Sequence, residues 1–317
     1  MTAERPRRRR FPWQVVAAVL VAALVYAVIV LLYAGGLRES SNSCVQVVQG
    51  DESDLVTVSL QPASVNAVNQ RLEFQLTLFP PTSLLDPDGF TANQKISLLT
   101  FPVDGSSVLT FAEGEALGSS TQSDYAKGIV EEWPFDSYRA DLTTFAFTGE
   151  GDDRIAVPTE VCLDNSVPGW QLQTSLVPSK DNSVTTAGGE VPLPTVEIVA
   201  TRSASTVAFG ILLLGLMAVI PVLVLFVAIS AYNGRRKVEA TLTSWIGAML
   251  FAVIPLRNFL PGSPPVGSWI DYLVVLWVIV GLVTGLTIYI LAWNRWGTRA
   301  SPRDPAPAPA PAEPGSP

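Results

Sequence analysis

Four apolar stretches constrain this chain more than any other feature. Residues 13–34, 207–232, 241–257 and 272–293 carry no charged side chain except Arg257 at the end of the third. Each is long enough to cross a hydrocarbon core about 30 Å thick, which takes roughly 17–25 helical residues. Composition agrees: 15% of the chain is charged, where soluble domains carry about 25%. The sequence therefore predicts an α+β membrane protein, with an extracytoplasmic all-β sandwich at 35–206 and four transmembrane helices, one before the sandwich and three after. The third stretch is the shortest, and a re-entrant segment is its alternative reading. None of the four has an ionisable residue at its middle, which argues against proton relays and coupled pumps.

Charge is distributed by segment. Residues 36–206 hold 8 basic and 23 acidic side chains, a net of −15, while the whole chain is −8. Basic residues crowd the apolar stretches: Arg5, Arg7 and Arg10 before the first, Arg235, Arg236 and Lys237 after the second, Arg295, Arg299 and Arg303 after the fourth. By the positive-inside rule, 1–12 and 294–317 are cytoplasmic, 35–206 is outside, and 258–271 is a short outer loop. The expected location is the plasma membrane, multi-pass, with the lipid bilayer as first partner. Trp13, Trp269, Trp293 and Trp296 sit where interfacial anchors belong. A cleaved signal peptide is the alternative for 13–34. That stretch exceeds the usual apolar core of about 7–15 residues, however, and Leu32-Tyr33-Ala34 is a poor cleavage site. Gly281 and Gly285 form a GxxxG, which marks either a close helix contact or ordinary lipid-facing glycines. The Pro/Ala tail from Ala300 reads as a disordered extension.

The outer domain reads as strands. Leu72, Phe74, Leu76 and Leu78 alternate with period 2, and shorter runs recur at 55–60, 96–101, 142–147, 155–161, 170–176 and 196–200. Turn-forming residues separate them, as in a β-sandwich. Cys44 and Cys162 both lie in this domain. An oxidising exterior permits a disulfide between them, worth roughly 4–5 kcal/mol in the chain-entropy model; two buried thiols are the alternative. The chain has no histidine, which excludes Ser-His-Asp and Cys-His catalysis and His-ligated zinc or haem. No P-loop, GxSxG or dinucleotide motif occurs, so neither an enzyme nor a cofactor is expected. Asp86-Pro87-Asp88-Gly89 is a turn by composition, with a calcium-loop fragment as its alternative. No basic patch with interleaved aromatics points to nucleic acid.

Two resemblances add to this reading. Trp133-Pro134-Phe135-Asp136-Ser137-Tyr138, Thr201-Arg202-Ser203 and the segment from Arg257 to Gly267 (RNFLPGSPPVG) resemble an uncharacterised family of multi-span membrane proteins from mycobacteria and related actinobacteria, over most of 13–296. That likeness implies architecture and location only. More distantly, Pro134-Phe135-Asp136 with Tyr138 resembles the Pro-Phe-Asp segment of pentameric ligand-gated channels, in which a sandwich loop rests on the membrane domain and relays binding to the pore. Arg202 is similar to the arginine at that family's sandwich–membrane junction, and Leu260-Pro261 with Pro264 to a turn between its helices. The resemblance implies that 241–257 lines a pore. The order departs from the family, since one helix precedes the sandwich here, and Cys44 and Cys162 do not flank the Pro-Phe-Asp loop. Trp245 and Phe251 are bulky for a pore helix.

Plainer readings stand beside these. Trp133 to Asp136 can be a packed turn, Arg202 a headgroup anchor, and Arg257 and Asp271 a pair across the outer loop. The main expectation is a membrane protein whose outer sandwich binds an unidentified ligand or protein. The alternative is a subunit of a homo-oligomeric channel.

Overall fold

The computed structural model describes residues 43–164, 167–177, 183–186, 189–193, 195–236 and 238–296, with residues 20, 23–28, 30, 31 and 34. The expected cytoplasmic segment 1–12, residues 297–317 of the expected tail 294–317, and most of the stretch 13–34 lie outside the described residues; those described within 13–34 are helical.

Fourteen strands follow. They are β1 (Ser43–Val48), β2 (Val56–Asn66), β3 (Arg71–Phe79), β4 (Ile96–Phe101), β5 (Val108–Phe111), β6 (Ser119–Tyr125), β7 (Lys127–Gly128), β8 (Ser137–Thr148), β9 (Ile155–Ala156), β10 (Thr159–Leu163), β11 (Trp170–Val177), β12 (Ser183–Thr186), β13 (Gly189–Pro192) and β14 (Thr195–Arg202). One sheet has the order β1-β10-β2-β3-β6. The other runs β11-β14-β8-β4-β5, with β7 and β9 also paired to β8, and β12-β13 form a separate ribbon. Only β10 and β2 pair in parallel within the first sheet. The inward residues of both sheets share one core, in which Leu60, Leu72, Phe74 and Leu76 meet Ile96, Leu98, Leu142, Val196 and Ile198. The domain is thus a β-sandwich, as the period-2 runs predict.

The expected strand at 155–161 is a correction. It is two strands: β9 pairs with β8 in one sheet, and β10 pairs with β1 and β2 in the other. Pro158 lies between them and lacks the N–H that a continuous ladder would need. The disulfide Cys44–Cys162 forms between residues opposite one another on β1 and β10, across a sequence separation of 118.

Among the described residues, three helices are long and apolar enough to cross a membrane: α1 (Ala204–Tyr232), α2 (Ala240–Asn258), and α3 (Leu276–Trp296) with the π-helical turn Asp271–Val275 before it. They match the stretches 207–232, 241–257 and 272–293 within a few residues, and α1 starts three residues before the expected start at 207.

The chain divides into two compact units. One contains the sandwich, the first turns of α1 to Gly215, and Asn258–Leu273; the other contains Leu216–Arg257 and the chain from Val274. In the second unit Met217, Val224, Ala228, Ile246, Val253, Val278 and Leu282 form the core. A Cβ on Gly281 would fall 2.9 Å from Pro221 Cβ, and one on Gly285 would fall 2.7 Å from Val224 Cγ1. The GxxxG therefore serves close helix approach. Buried Tyr289 donates its hydroxyl to the Glu239 carbonyl at 2.9 Å, tying α3 to the α1–α2 connection.

Candidate functional site

Strand register explains the site. On β14, Val196, Ile198, Ala200 and Arg202 alternate inward, so an arginine occupies the last core-facing position of an otherwise apolar face. β14 pairs with β8 through Val196↔Leu142, Ile198↔Ala140 and Ala200↔Tyr138. Continuing that register by two residues sets Arg202 opposite Asp136. The two are joined by a bidentate ion pair, with Nε donating to Oδ1 at 2.5 Å and Nη2 to Oδ2 at 2.9 Å. The Arg202 side chain is 2% exposed and that of Asp136 is 0% exposed.

Every remaining partner of the pair is supplied locally. Tyr138 donates its hydroxyl to Asp136 Oδ2 at 2.9 Å. Burial, and then the Asp136 charge, push the Tyr138 hydroxyl pKa up, so it stays a donor. Trp170 lies across β14 from Arg202 in the register and holds its ring 4.6 Å from the guanidinium carbon, a cation–π contact. Arg202 Nη1 reaches the Pro261 carbonyl at 3.4 Å, and the Trp133 indole N–H donates to the same carbonyl at 2.8 Å. Trp133 is fully buried against Leu260 and Ile270, with Leu213 and Leu214 of α1 packed on them. Two glycines make room. A Cβ on Gly210 would meet the Trp133 ring at 2.7 Å, and one on Gly262, at φ +74°, would meet Arg202 Nη1 at 2.3 Å.

The sequence candidates therefore separate into groups. Trp133, Asp136, Tyr138 and Arg202 come together in one buried cluster. Pro134 follows a cis peptide bond after Trp133, and Phe135 is exposed at 69%. Asp271 accepts the Gly267 N–H at 2.8 Å and so closes the turn before α3. Arg257 lies in the last turn of α2. The headgroup-anchor reading of Arg202 is corrected, since its side chain is buried in an ion pair. Sequence reasoning missed Trp170 and Pro261 as parts of the cluster. Strand parity running from Val196 to Arg202 was the available signal for burial of the arginine. At Asp86–Gly89 the carboxylates serve a turn: Asp88 Oδ1 accepts the Phe90 N–H at 2.9 Å and Thr91 donates its hydroxyl to Asp86 at 2.9 Å. The Phe90 and Thr91 N–H groups, both donating to Asp88, hold its carboxyl below its usual range.

A loop between strands, a strand-to-helix junction and a second loop thus share one set of charge-assisted bonds. The fold and site define a β-sandwich protein with three helices apolar enough to span a membrane. Residues 46–191 match a family described as a domain of unknown function (DUF4436), and residues 202–296 match a second domain of unknown function (DUF8686). Asp136 falls in the first match and Arg202 at the start of the second. No curated protein matches the chain.

Proposed function

We propose that this is a plasma-membrane binding module, with its sandwich outside the cell and both termini in the cytoplasm. In this reading, events on the sandwich are relayed to the helices through the Asp136–Arg202 cluster. The basic flanks of the apolar stretches and the disulfide, which suits an oxidising exterior, support the orientation. The observation that carries the relay is the buried bidentate pair with its shared Pro261 carbonyl. A sandwich that merely hung from a membrane anchor would need no buried charge at the strand-to-helix junction. Hydrogen–deuterium exchange in nanodiscs tests this. Asp136→Asn should raise exchange both at 128–138 and at 258–271. Unchanged exchange at 258–271 would refute the relay.

A second reading, a subunit of a homo-oligomeric channel, has its own support. α2 turns Ile246 and Val253 into the helix core, while Thr241, Ser244, Ala248 and Pro255 are exposed. These share a face at helical spacing. Together with the likeness to the Pro-Phe-Asp loop, that stripe fits a pore lining. The mass of the intact protein in nanodiscs separates the readings. A uniform pentamer favours the channel, and a monomer or dimer removes its structural requirement.

A further inference from the structure

Away from the junction, the sandwich carries an open cavity of about 320 Å³, within the size range of small-ligand sites. It is formed where the start of β3, the end of β6, the β4–β5 loop, β7 and β8 converge. Both charge signs line it: Arg71, Lys127 and Arg139, with Asp104, Asp124 and Asp141. Two of the cations are already engaged. Arg71 pairs with Asp104, and Arg139 with Glu197.

Asp124 differs from its neighbours. It is 3% exposed although it is a carboxylate. Its Oδ1 accepts the Tyr125 N–H at 2.6 Å, but its Oδ2 is buried with no hydrogen-bond partner among the described residues. Alternation explains the position. On β6, Gln122 and Asp124 are the buried residues, so the strand turns a carboxylate inward where a hydrophobe would be expected. A buried acceptor left unpaired costs about 1–3 kcal/mol, more when charged. Burial pushes the Asp124 carboxyl up to about 6, against the pull of the Tyr125 N–H and Arg71, with Asp141 adding to the push.

We propose that this cavity receives an ammonium or guanidinium group, which donates to Asp124 Oδ2 while Asp141 supplies a second negative charge beside it. This deepens the binding-module reading and rests on it. Chemistry selects the class of ligand. A calcium ion needs several oxygens at about 2.3–2.6 Å. Among the described residues, three potential metal ligands converge only at Cys44, Glu160 and Cys162, and both of those cysteines are in the disulfide. The three carboxylates of this cavity therefore do not converge as a set on one ion. An ammonium bears three N–H donors, fewer contacts than calcium demands, and the unpaired Asp124 Oδ2 with the Asp141 carboxylate offers acceptors for them.

The same cation could arrive on a free amine or on a lysine side chain of a partner, and calorimetry on the full-length protein in nanodiscs at pH 7.5 distinguishes them. n-Butylamine, the blocked peptide acetyl-Gly-Lys-Gly-amide and n-butanol are titrated in parallel. Binding of n-butylamine but not n-butanol, weakened at least tenfold by Asp124→Asn and severalfold by Asp141→Asn, supports the proposal. Tighter binding of the peptide than of the amine identifies a protein partner as the source; equal or weaker binding identifies a small amine. Equal heats for n-butylamine and n-butanol, or an Asp124→Asn variant that binds unchanged, overturns it. Asp141 is exposed, so Asp141→Asn remains informative if Asp124→Asn alters the fold. Loss of amine binding alone leaves the relay standing, because the exchange experiment at 258–271 does not pass through this cavity.

Discussion

Breaking the Asp136–Arg202 pair from one side should be far more damaging than removing it whole. Asp136→Asn keeps the shape of the side chain and leaves Arg202 as a cation that is 2% exposed with its countercharge gone. Removing one partner of a buried pair costs about 3–5 kcal/mol. Arg202→Met strands the Asp136 carboxylate, though the Tyr138 hydroxyl at 2.9 Å still donates to it and softens the loss. That bond, one to a charged acceptor, is worth about 1.5–3 kcal/mol. The Arg202→Met cost should therefore fall near the lower end of the range. The double variant contains neither charge, so no buried ion is left without its countercharge. It also loses the cation–π contact with Trp170 and the Nη1 bond to Pro261, so it should sit below wild type by about 1–2 kcal/mol. The predicted coupling is several kcal/mol. The assay is thermal unfolding of the full-length protein in detergent, followed by tryptophan fluorescence. At roughly 2–4 °C per kcal/mol for a domain of this size, Asp136→Asn should lower Tm by roughly 6–20 °C, and the double variant by less than either single change. Additive single effects would refute the reasoning, since two residues that add do not share an interaction.

Two further outcomes follow from other parts of the sandwich. With its carboxyl raised to about 6 in the folded state, Asp124 binds its proton more tightly folded than unfolded, so the native state loses stability as pH rises through 6. Asp124→Asn should therefore unfold at a higher temperature than wild type at pH 7.5, by the equivalent of about 2–3 kcal/mol before screening, with the gap closing toward pH 4. A gap that widens on acidification reverses the sign and sinks the argument. Reducing Cys44–Cys162, which closes a loop of sequence separation 118, should cost roughly 4–5 kcal/mol in the chain-entropy model. Melting curves with and without a reductant check this, and coincident curves would count against it.

Hydropathy made parts of this fold legible and left others dark, for one physical reason. Leu72, Phe74, Leu76 and Leu78 announce β3 because the inward positions are all apolar, and all four are buried. β6 was invisible because its inward positions hold Gln122 and Asp124. β12 and β13 form a ribbon outside the two sheets, so the core imposes no apolar period on them. The apolar run at 155–161 looked continuous because periodicity does not register that Pro158 interrupts a ladder. The disulfide was readable from two cysteines in one domain. The buried cluster was half readable: the Trp-Pro-Phe-Asp segment and Arg202 stand out as residue types, but their meeting depends on register. Pro261 contributes a backbone carbonyl, which no side-chain pattern reveals.

That carbonyl explains why a charged pair stands where apolar residues would be easier to bury. An apolar pair at 136 and 202 would fill the space and avoid the desolvation of two charges. It would also leave the Tyr138 hydroxyl without its acceptor and remove the Arg202 link from β14 to the 258–271 loop, leaving the Trp133 bond from the β7–β8 loop. The guanidinium has donors in fixed directions. Two are aimed along the β8 register at Asp136, one at Pro261, and its face is set against Trp170. Only one orientation of the strand end satisfies them together, and α1 begins two residues later at Ala204. The path of the chain from the last core position of the sandwich into the first turn of an apolar helix is thus set by hydrogen-bond geometry rather than by contact area. Gly210 and Gly262, by leaving no Cβ to push Trp133 or Arg202 away, permit that geometry. A junction built this way resists sliding as well as separation, and in the relay proposed above a displacement of the β7–β8 loop would reach the Pro261 carbonyl first.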